Sequence, residues 1–491
     1  MTDTGLRRRE FAWLPVGLVA VAVMALLTVV ASRYGYHRDE LYFRVLGRHP
    51  AWGYVDQPPA TPLITRASIA LFGDTVRGLR VPAILAAGMV AYLCAQIARE
   101  TGGGPGAQVL AAVAASGTLV LTFGHLFLTT SLDMVVWLAV VLFAFRALLR
   151  DRPHWWLAVG AVVGVGLYNK LLVLLLLGAL GAGLSAVGPR RVLFSWWPWA
   201  GMGLAALIGA PNIVYQITHG FPVLTMAHAL RADKGALGGV LNVPFLFLVV
   251  GPPLAYVGVM GLLRVLRDPV LRPVRAFGAG YLLLLGLLVA VAAQPYYTIG
   301  LVLALHAVGS VPVARALAER RHSRALFAVL LGLNLAASTA FALPVFSLGT
   351  QQSLHLAEAN QGLSDEIGWP RYVSQIAAAY RPDAIVITGN YGEYGAVDRY
   401  GTAYGIPKGV LYSGQNALRT LGTPPDSART AVVVGYDRQS WLYAQFADCR
   451  VEGHLDSGYR IANEEQHRAV YLCHDPVKPW HVLWHRFLHF D

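Results

Sequence analysis

The sequence predicts an α-helical polytopic membrane protein that continues into a small α/β domain outside the membrane. Its 491 residues are 56% hydrophobic and only 13% charged, with a mean hydropathy of +0.51, whereas about a quarter of the residues of soluble domains are charged. Apolar runs of about 20 residues recur, and each is long enough to cross about 30 Å of hydrocarbon. Residues 345–491 lack such runs and have the composition of a soluble domain.

We predict about eleven transmembrane helices within residues 1–344. The first apolar run is too long and too weakly terminated for a cleaved signal peptide, and further runs follow it. The predicted spans are residues 11–32, 81–99, 107–125, 132–149, 154–169, 171–187, 197–217, 242–263, 275–293, 297–314 and 324–344.

The distribution of charge determines the predicted orientation. Residues 1–344 contain 27 Lys and Arg against 12 Asp and Glu, and residues 345–491 contain 12 against 15. The formal charge of +12 therefore belongs to the membrane half and does not indicate binding of nucleic acid. A cytoplasmic N-terminus and eleven spans place the basic clusters in cytoplasmic loops, as the positive-inside rule requires, and place residues 345–491 outside. These clusters are Arg7–Arg9, Arg146/Arg150/Arg152, Arg190–Arg191, Arg264/Arg267/Arg272/Arg275 and Arg315/Arg320/Arg321/Arg324.

The outer segment has the pattern of a small α/β domain. Apolar strands run into Gly-rich turns in "DAIVITGNYGEYGAVDRYG" and "RTAVVVGYD", next to the helical pattern "RYVSQIAAAY". Polar residues in these turns, such as Asn390, Glu393 and Asn416, suit loop structure better than recognition of an acceptor. Cys449 and Cys473 both lie in this domain. They either form a disulfide, which an extracytoplasmic compartment permits, or remain two buried thiols.

The first outer loop, residues 33–80, is the most informative region. It contains "YGYHRDELYFRVLGRHPAWGYVDQPPATPLITRASIALFGD", in which two amphipathic stretches predict short helices lying in the membrane interface. Pro58 and Pro59 suit the start of the second helix, and Asp56 suits its cap.

Asp39 and Glu40 fall where the first span meets water. A carboxylate in apolar surroundings suits a general base, because desolvation raises its pKa toward the working pH. The structural alternative is that Asp39 caps a helix and Glu40 pairs with Arg38 or Arg44. Spacing alone favours the structural alternative.

"HRDELYF" followed by "GYVDQPP" resembles the first periplasmic loop of GT-C glycosyltransferases, in particular the bacterial relatives of protein O-mannosyltransferases and aminoarabinose transferases (glycosyltransferase families 39 and 83). The segments "SLDMVVW", "GLYNK", "APNIVYQITHGFPVL" and "QPYYTIG" follow in the order such proteins show. The resemblance implies a bacterial cytoplasmic-membrane enzyme that uses a polyprenyl-phosphate-linked sugar. It also implies an acidic residue or an Asp-Glu pair in the first loop and a soluble domain at the C-terminus.

Carried onto this chain, the resemblance makes Asp39 the expected catalytic base, with Glu40 beside it. Asp133 becomes a second acid facing the same cavity, although it also suits the first turn of a helix. Asp56 falls where relatives carry an acidic residue near a proline, and Asp56 and Gln57 are both substrate-binding candidates. Some relatives have Lys or His beside that proline where this chain has Gln57, so the resemblance does not support a charge-based role at that point. His125 is a further substrate-binding candidate whose structural alternative is simpler.

The resemblance also implies a site for the donor phosphate. Lys170, with Arg38 or Arg80, would hold the departing lipid phosphate, and Tyr296 and Tyr297 would lie close to it. The structural alternatives are a snorkelling lysine and an interfacial aromatic belt. A divalent cation bridging carboxylates and phosphate is compatible with the sequence, although no Cys/His spacing demands zinc.

The sequence thus predicts a membrane glycosyltransferase that moves a sugar from a polyprenyl phosphate to an acceptor hydroxyl on a protein, lipid or glycan. A single displacement, with Asp39 as base, would invert the anomeric centre. Two alternatives stay open: a transporter or lipid flippase, which would place ionisable residues in mid-span, and a non-catalytic assembly protein that binds through its outer domain.

Overall fold

The computed structural model describes residues 9–232, 249–291, 293–436 and 439–490. Within these ranges the membrane half is entirely helical. Its α-helices are α1 Trp13–Val30, α2 Arg38–Arg48, α3 Ala60–Phe72, α4 Val76–Glu100, α5 Pro105–Ala114, α6 Thr118–His125, α7 Thr129–Leu149, α8 Trp155–Gly166, α9 Val173–Val187, α10 Trp196–Thr218, α11 Pro222–Ala232, α12 Pro252–Arg267, α13 Arg275–Ala290, α14 Ile299–Glu319 and α15 Arg321–Ala342. Short 3-10 segments span Arg190–Phe194, Pro269–Val274 and Pro295–Thr298.

The predicted membrane spans coincide with these helices, but their lengths vary more than the hydropathy suggests. Seven helices among the described residues are long and apolar enough to cross a membrane, or eight if α5 and α6, bent by 60° at their junction, form one span. The predicted spans 154–169 and 171–187 correspond to α8 and α9, which have only 12 and 15 residues. The predicted span 242–263 starts outside the described residues. Arg7 and Arg8 of the first basic cluster also lie outside them.

Both helices predicted in the first outer loop are present as α2 and α3. The prediction that Asp56 caps α3 is wrong: Pro59 occupies the cap position, and no side chain caps this helix. A side-chain cap is less needed here, because Pro62 in the first turn has no N–H and the Ala60 N–H donates to the Tyr168 carbonyl at 2.8 Å.

The C-terminal segment contains a five-stranded mixed sheet with the order β2-β1-β3-β5-β4. β2, β1 and β3 are parallel, whereas β5 and β4 join antiparallel at one edge. The strands are β1 Ala384–Thr388, β2 Leu411–Ser413, β3 Thr430–Val434, β4 Phe446–His454 and β5 Ala469–Pro476. Every residue of β1 and β3 is buried, as expected for central strands of a covered sheet.

Helices connect and cover the sheet, as the Gly-rich turns predict. They are α16 Leu348–Ser353, α17 Leu356–Ala359, α18 Gln361–Ser364, α19 Trp369–Ala379, α20 Tyr391–Tyr400, α21 Gln439–Tyr443 and α22 Trp480–Leu483, with 3-10 segments at Gly401–Tyr404, Asn416–Thr420 and Trp484–Arg486. Cys449 and Cys473 lie opposite each other on β4 and β5 and form a disulfide. Asn390 caps α20 and Glu393 completes the capping box, which is the loop-structure interpretation of these two residues.

The outer domain shares a hydrophobic core with the first outer loop. Tyr36 and Leu41 from this loop, with Phe127, are buried against Trp369 and Val397 of the outer domain. Helices α2 and α20 therefore pack directly on each other, so the loop and the domain form one continuous structure.

Candidate active site

Asp39 lies in the first turn of α2, at the boundary between the membrane half and the outer domain. The helix is capped by its neighbours: His37 Nδ1 accepts the Asp39 N–H at 3.2 Å, and Glu40 Oε2 accepts the His37 N–H at 2.9 Å. The Asp39 carboxylate is therefore not used as a cap. It stays partly exposed, and its Oδ1 accepts a hydrogen bond of 2.9 Å from the Tyr391 hydroxyl.

Glu40, by contrast, belongs to a buried network of charges. The side chains of Glu40, Arg80 and Glu366 are all 0% exposed. Arg80 donates from Nε and Nη2 to the two carboxylate oxygens of Glu40, each at 2.8 Å, and from Nη2 to Glu366 Oε2 at 3.0 Å. His125 Nε2 lies 3.1 Å from the same Glu366 oxygen and 2.9 Å from Arg80 Nη1. The bidentate contact between Arg80 and Glu40 is the strong form of an arginine–carboxylate pair.

The network gives structural roles to three residues for which the sequence suggested substrate contacts. The guanidinium of Arg80 also donates to two backbone carbonyls, so its N–H groups are already used. Glu40 pairs with Arg80, and not with Arg38 or Arg44. His125 is 1% exposed and faces Glu366 of the outer domain. Although burial opposes it, attraction by His125 and Arg80 lowers the pKa of Glu366, which therefore carries a charge.

Arg38 points toward the outer domain. Its Nη1 lies 2.7 Å from Glu464 Oε1, and its guanidinium lies 4.8 Å from the centre of the Tyr391 ring. The residue is 6% exposed, and its Nε is buried without a hydrogen-bond partner among the described residues. Arg38 therefore borders the Asp39 carboxylate on the side of the outer domain.

Lys170 occupies the turn between α8 and α9. The aromatic pair predicted to lie close to it, Tyr296 and Tyr297, is next to this turn. The Lys170 Nζ lies 3.1 Å from Thr130 Oγ1, 5.0 Å from the centre of the Tyr297 ring and 5.5 Å from that of Tyr296. Burial lowers the pKa of Lys170, while attraction by Asp133, which is 4% exposed, opposes that shift. Three of the predicted residues, Tyr296, Tyr297 and Asp133, thus surround the predicted cation, Lys170.

The turn that carries Lys170 is held from two sides. Asn169 Oδ1 accepts from Thr61 Oγ1 at 3.0 Å, and Asn169 Nδ2 donates to the Thr129 carbonyl at 2.8 Å. The Ala60 N–H donates to the Tyr168 carbonyl at 2.8 Å. These bonds fix the lysine turn against the first residues of α3 and α7, so the position of Lys170 depends on the first outer loop.

Asp56 and Gln57 lie just before α3, and the charge of Asp39 acts on Asp56. The Tyr42 hydroxyl accepts from the Ala417 N–H at 3.1 Å, and its interaction with Asp56 favours the ionised form of that carboxyl. Asp56 Oδ1 is buried without a hydrogen-bond partner in the described structure, and burial raises the pKa of Asp56 to about 7. Gln57 is 8% exposed, and its Nε2 is likewise buried and without a described partner.

Electrostatic interactions connect these parts into one site. Asp39 interacts with Asp56, with Lys170 and with Tyr296, which come from three different segments of the chain. A partly exposed carboxylate thus has a second acid and a cation within electrostatic range. Such a set of groups can accept a proton and stabilise a departing anion.

Preformed metal sites are not found in the parts of the chain that the structure describes. These residues contain no group of three or more His, Cys, Asp or Glu side chains that could hold a metal ion.

A cavity of about 470 Å³ lies between the first outer loop, α10 and α11, and the outer domain. Tyr54 and Val55, immediately before Asp56, form part of its wall. Its lining has aromatic and basic character, from His49, Tyr54, Tyr215, His219, Arg419 and Phe490. The described lining residues include no carboxylate.

The fold is that of a polytopic membrane protein with a GT-C-like helical part and a C-terminal α/β domain. Within that class, a sequence profile described as dolichyl-phosphate-mannose-protein mannosyltransferase matches residues 56–215. The matched segment covers about a third of the chain and includes Asp56, Asp133 and Lys170, while Asp39 precedes it. No curated protein sequence matches the chain significantly.

Solved structures show the same fold at low sequence identity. ArnT from Cupriavidus metallidurans in the apo state is 14% identical over 93% of this chain and 97% of that chain, with a TM-score of 0.59. The same protein bound to undecaprenyl phosphate is 14% identical over 94% and 98%, with a TM-score of 0.58. The oligosaccharyltransferase from Archaeoglobus fulgidus with zinc and sulfate is 12% identical over 87% and 69%, with a TM-score of 0.50.

Several site residues were not predicted from the sequence. They are Tyr391, which contacts Asp39, and Thr130, which contacts Lys170. A third is Tyr42, which interacts with Asp56. One available signal was the position of Tyr391 in "TGNYGEYG", directly after a buried strand and at the start of a helix, where parallel sheets commonly place functional residues.

Proposed function

We propose that this protein is an integral-membrane glycosyltransferase that moves a sugar from a polyprenyl phosphate to an acceptor hydroxyl on the outer side of the bacterial cytoplasmic membrane. One observation supports the proposal: the negative charge of Asp39 acts on Lys170, although the two residues are distant in sequence. The fold supports it, because the similar ArnT structure was solved with undecaprenyl phosphate bound.

Lys170 is the residue we assign to the donor phosphate. It lies in a turn predicted at the outer face, where the phosphate of a lipid in the outer leaflet would be found. Its cation would stabilise the negative charge that develops on the phosphate as the glycosidic bond breaks. Thr130, Tyr296 and Tyr297 position the ammonium group and shield it from water. In the absence of donor, Asp133 balances its charge.

Asp39 is the residue we assign as base. One carboxylate oxygen is held by Tyr391, and the side chain remains partly exposed. An acceptor hydroxyl entering from the aqueous side would lose its proton to Asp39 as it attacks the anomeric carbon. The phosphate would leave on the opposite face toward Lys170, so the reaction inverts the anomeric centre.

We assign the cavity of about 470 Å³ to the acceptor. Its aromatic rings suit the apolar faces of a sugar, and Arg419 with the two histidines suits an acceptor that bears an acidic group. The cavity adjoins Asp56, whose carboxyl would hydrogen-bond an acceptor hydroxyl. The identities of the transferred sugar and of the acceptor are left to the assay.

The test uses the full-length protein in lipid nanodiscs. Binding of undecaprenyl phosphate alone is measured first, for wild type, for Lys170→Met and for the control Lys408→Met, whose lysine is exposed. Transfer is then measured with a panel of radiolabelled polyprenyl-phosphate sugars and an envelope fraction as acceptor. Wild type is compared with Asp39→Asn and with the control Asp448→Asn, which changes an exposed aspartate on strand β4.

We expect Lys170→Met to weaken binding of the lipid phosphate about 10-fold or more, the usual effect of losing a charge-assisted contact. Asp39→Asn should bind the lipid normally and transfer no sugar. Transfer by Asp39→Asn at the wild-type rate would remove Asp39 as base and direct attention to Asp133. A protein that binds no polyprenyl phosphate would favour the transporter or assembly alternatives.

A further inference from the structure

The outer domain places a side chain directly on the proposed base. The Tyr391 hydroxyl donates to Asp39 Oδ1 at 2.9 Å, although the two residues are 352 positions apart in the chain. We propose that Tyr391 is a positioning residue for the reaction and that the outer domain thereby completes the active site. This inference rests on the proposed function, in which Asp39 is the base.

Close packing of two helices fixes the distance between these residues. Gly395 of α20 lies against Leu41 of α2, so near that a Cβ at position 395 would come within 2.7 Å of the Leu41 Cβ and 2.8 Å of its carbonyl carbon. A Cβ at Gly392 would come within 3.0 Å of Arg38 Cβ. Glycines at both positions therefore allow α20 to approach the helix that carries Asp39.

Ion pairs hold the two helices in register further along. Arg44 of α2 lies 2.7 Å from Asp398 of α20 and 2.6 Å from Asp74, and Arg48 lies 2.6 Å from Asp398. Because these contacts lie about two turns from Asp39, they define the angle between the helices. The position of the Tyr391 hydroxyl is thus set by the packing of whole helices.

The ring of Tyr391 is also fixed on both faces. It stacks on Tyr42 with ring centres 4.8 Å apart, and the Arg38 guanidinium lies 4.8 Å from its centre. Its backbone N–H donates to Gln415 Oε1 at 2.5 Å. Burial raises the pKa of Tyr391 well above its ordinary value, so the hydroxyl stays protonated and acts as a hydrogen-bond donor.

A donor on Oδ1 determines which oxygen of Asp39 reacts. The terminal torsion of an aspartate is broad, so a free carboxylate samples many orientations. With Oδ1 engaged by Tyr391, Oδ2 is left to accept the proton of the acceptor hydroxyl. Tyr391 contacts no substrate in this scheme, and its removal should therefore reduce the rate of the chemical step without weakening substrate binding.

The experiment compares Tyr391→Phe with Tyr394→Phe in the nanodisc transfer assay. Tyr394 lies on the same helix and packs beside Tyr42 and Tyr54, but its hydroxyl makes no described contact with Asp39. We expect Tyr391→Phe to lower kcat about 10- to 100-fold, as misplacement of a catalytic group does, with the KM values of donor and acceptor unchanged. Tyr394→Phe should match wild type.

Each outcome separates this inference from the function on which it rests. If Tyr391→Phe keeps the wild-type kcat while Asp39→Asn is inactive, the inference is overturned and the proposed base stands. A rise in KM at constant kcat would also overturn it, because Tyr391 would then be a binding residue. If Asp39→Asn is fully active, Asp39 is not the base and the inference about Tyr391 falls with it, while glycosyl transfer stands. If wild type transfers no sugar from any donor, the proposed function itself fails.

Discussion

Replacing Arg80 with methionine should destabilise the protein without acting directly on donor binding. The change removes the guanidinium from between Glu40 and Glu366, whose side chains are both 0% exposed. Methionine has a similar length but no charge, so two neighbouring carboxylates would stay buried without their cation. Breaking a buried ion pair by removing one partner costs about 3–5 kcal/mol, and we expect Arg80→Met to lower the free energy of unfolding by that amount.

Equilibrium denaturation of the protein in mixed micelles measures this effect. The matched control is Arg77→Met, because Arg77 lies one turn earlier on the same helix and is exposed. An exposed substitution of this kind changes stability by about 0.5 kcal/mol or less. The double variant Arg80→Met/Glu366→Gln should recover about 1–3 kcal/mol, since it removes one of the two unpaired charges.

Either of two results would contradict a structural role for Arg80. If Arg80→Met unfolds like wild type but loses its affinity for undecaprenyl phosphate, Arg80 belongs to the donor site, as the resemblance to GT-C enzymes first implied. If the double variant is less stable than Arg80→Met, the destabilisation does not come from the unpaired carboxylate of Glu366.

The geometry of the site leads to three further predictions. Gly395→Ala should lower kcat about 10-fold or more by separating α2 from α20. The control Gly349→Ala, where a new Cβ meets nothing within 4 Å, should leave kcat unchanged. Equal kcat values for the two variants would show that the helix spacing is unimportant. Burial raises the pKa of Asp56 from 3.8 to about 7, so the folded state binds more protons between these pH values and stability falls as pH rises through them. Asp56→Asn should flatten that part of the stability profile in thermal denaturation from pH 4 to 8, and an unchanged slope would argue against a buried carboxyl. Arg419→Ala should raise the KM of an acidic acceptor about 10-fold and leave the KM of the donor unchanged. The control Arg429→Ala, which changes an exposed arginine, should change neither KM. Equal acceptor KM values for the two variants would remove Arg419 from the acceptor site.

Local patterns in the sequence were sufficient for the helices and for the fold class. The apolar runs identify the membrane helices because the side chains of such a helix face either lipid or the protein interior along its whole length. The amphipathic pattern of residues 38–48 likewise predicts α2. The break between α5 and α6 and the short α8 and α9 were not predicted, since hydropathy measures composition and does not detect where a helix bends or stops.

The long-range pairings of the site could not be read from the sequence. Glu40 has Arg38 and Arg44 within one turn, yet it pairs with Arg80, which also contacts Glu366 286 residues further on. Local spacing favours the nearer partners, and only the tertiary packing determines which one is buried with Glu40. Resemblance to a family made Asp39 and Lys170 candidates, but a contact with the outer domain, such as that of Tyr391, has no counterpart in any short motif.

The hydrogen bond between Tyr391 and Asp39 also has a consequence for the biogenesis of the protein. In the predicted topology, the ribosome produces Asp39 early, and α2 would reach the outer surface while most of the membrane helices are still to be made. Tyr391 would arrive only after the residues beyond the last span had crossed the membrane and the sheet had folded around β1. On the proposed role of Tyr391, a chain still being inserted has its base exposed but not oriented, so full activity begins only when synthesis, translocation and folding of the outer domain are complete.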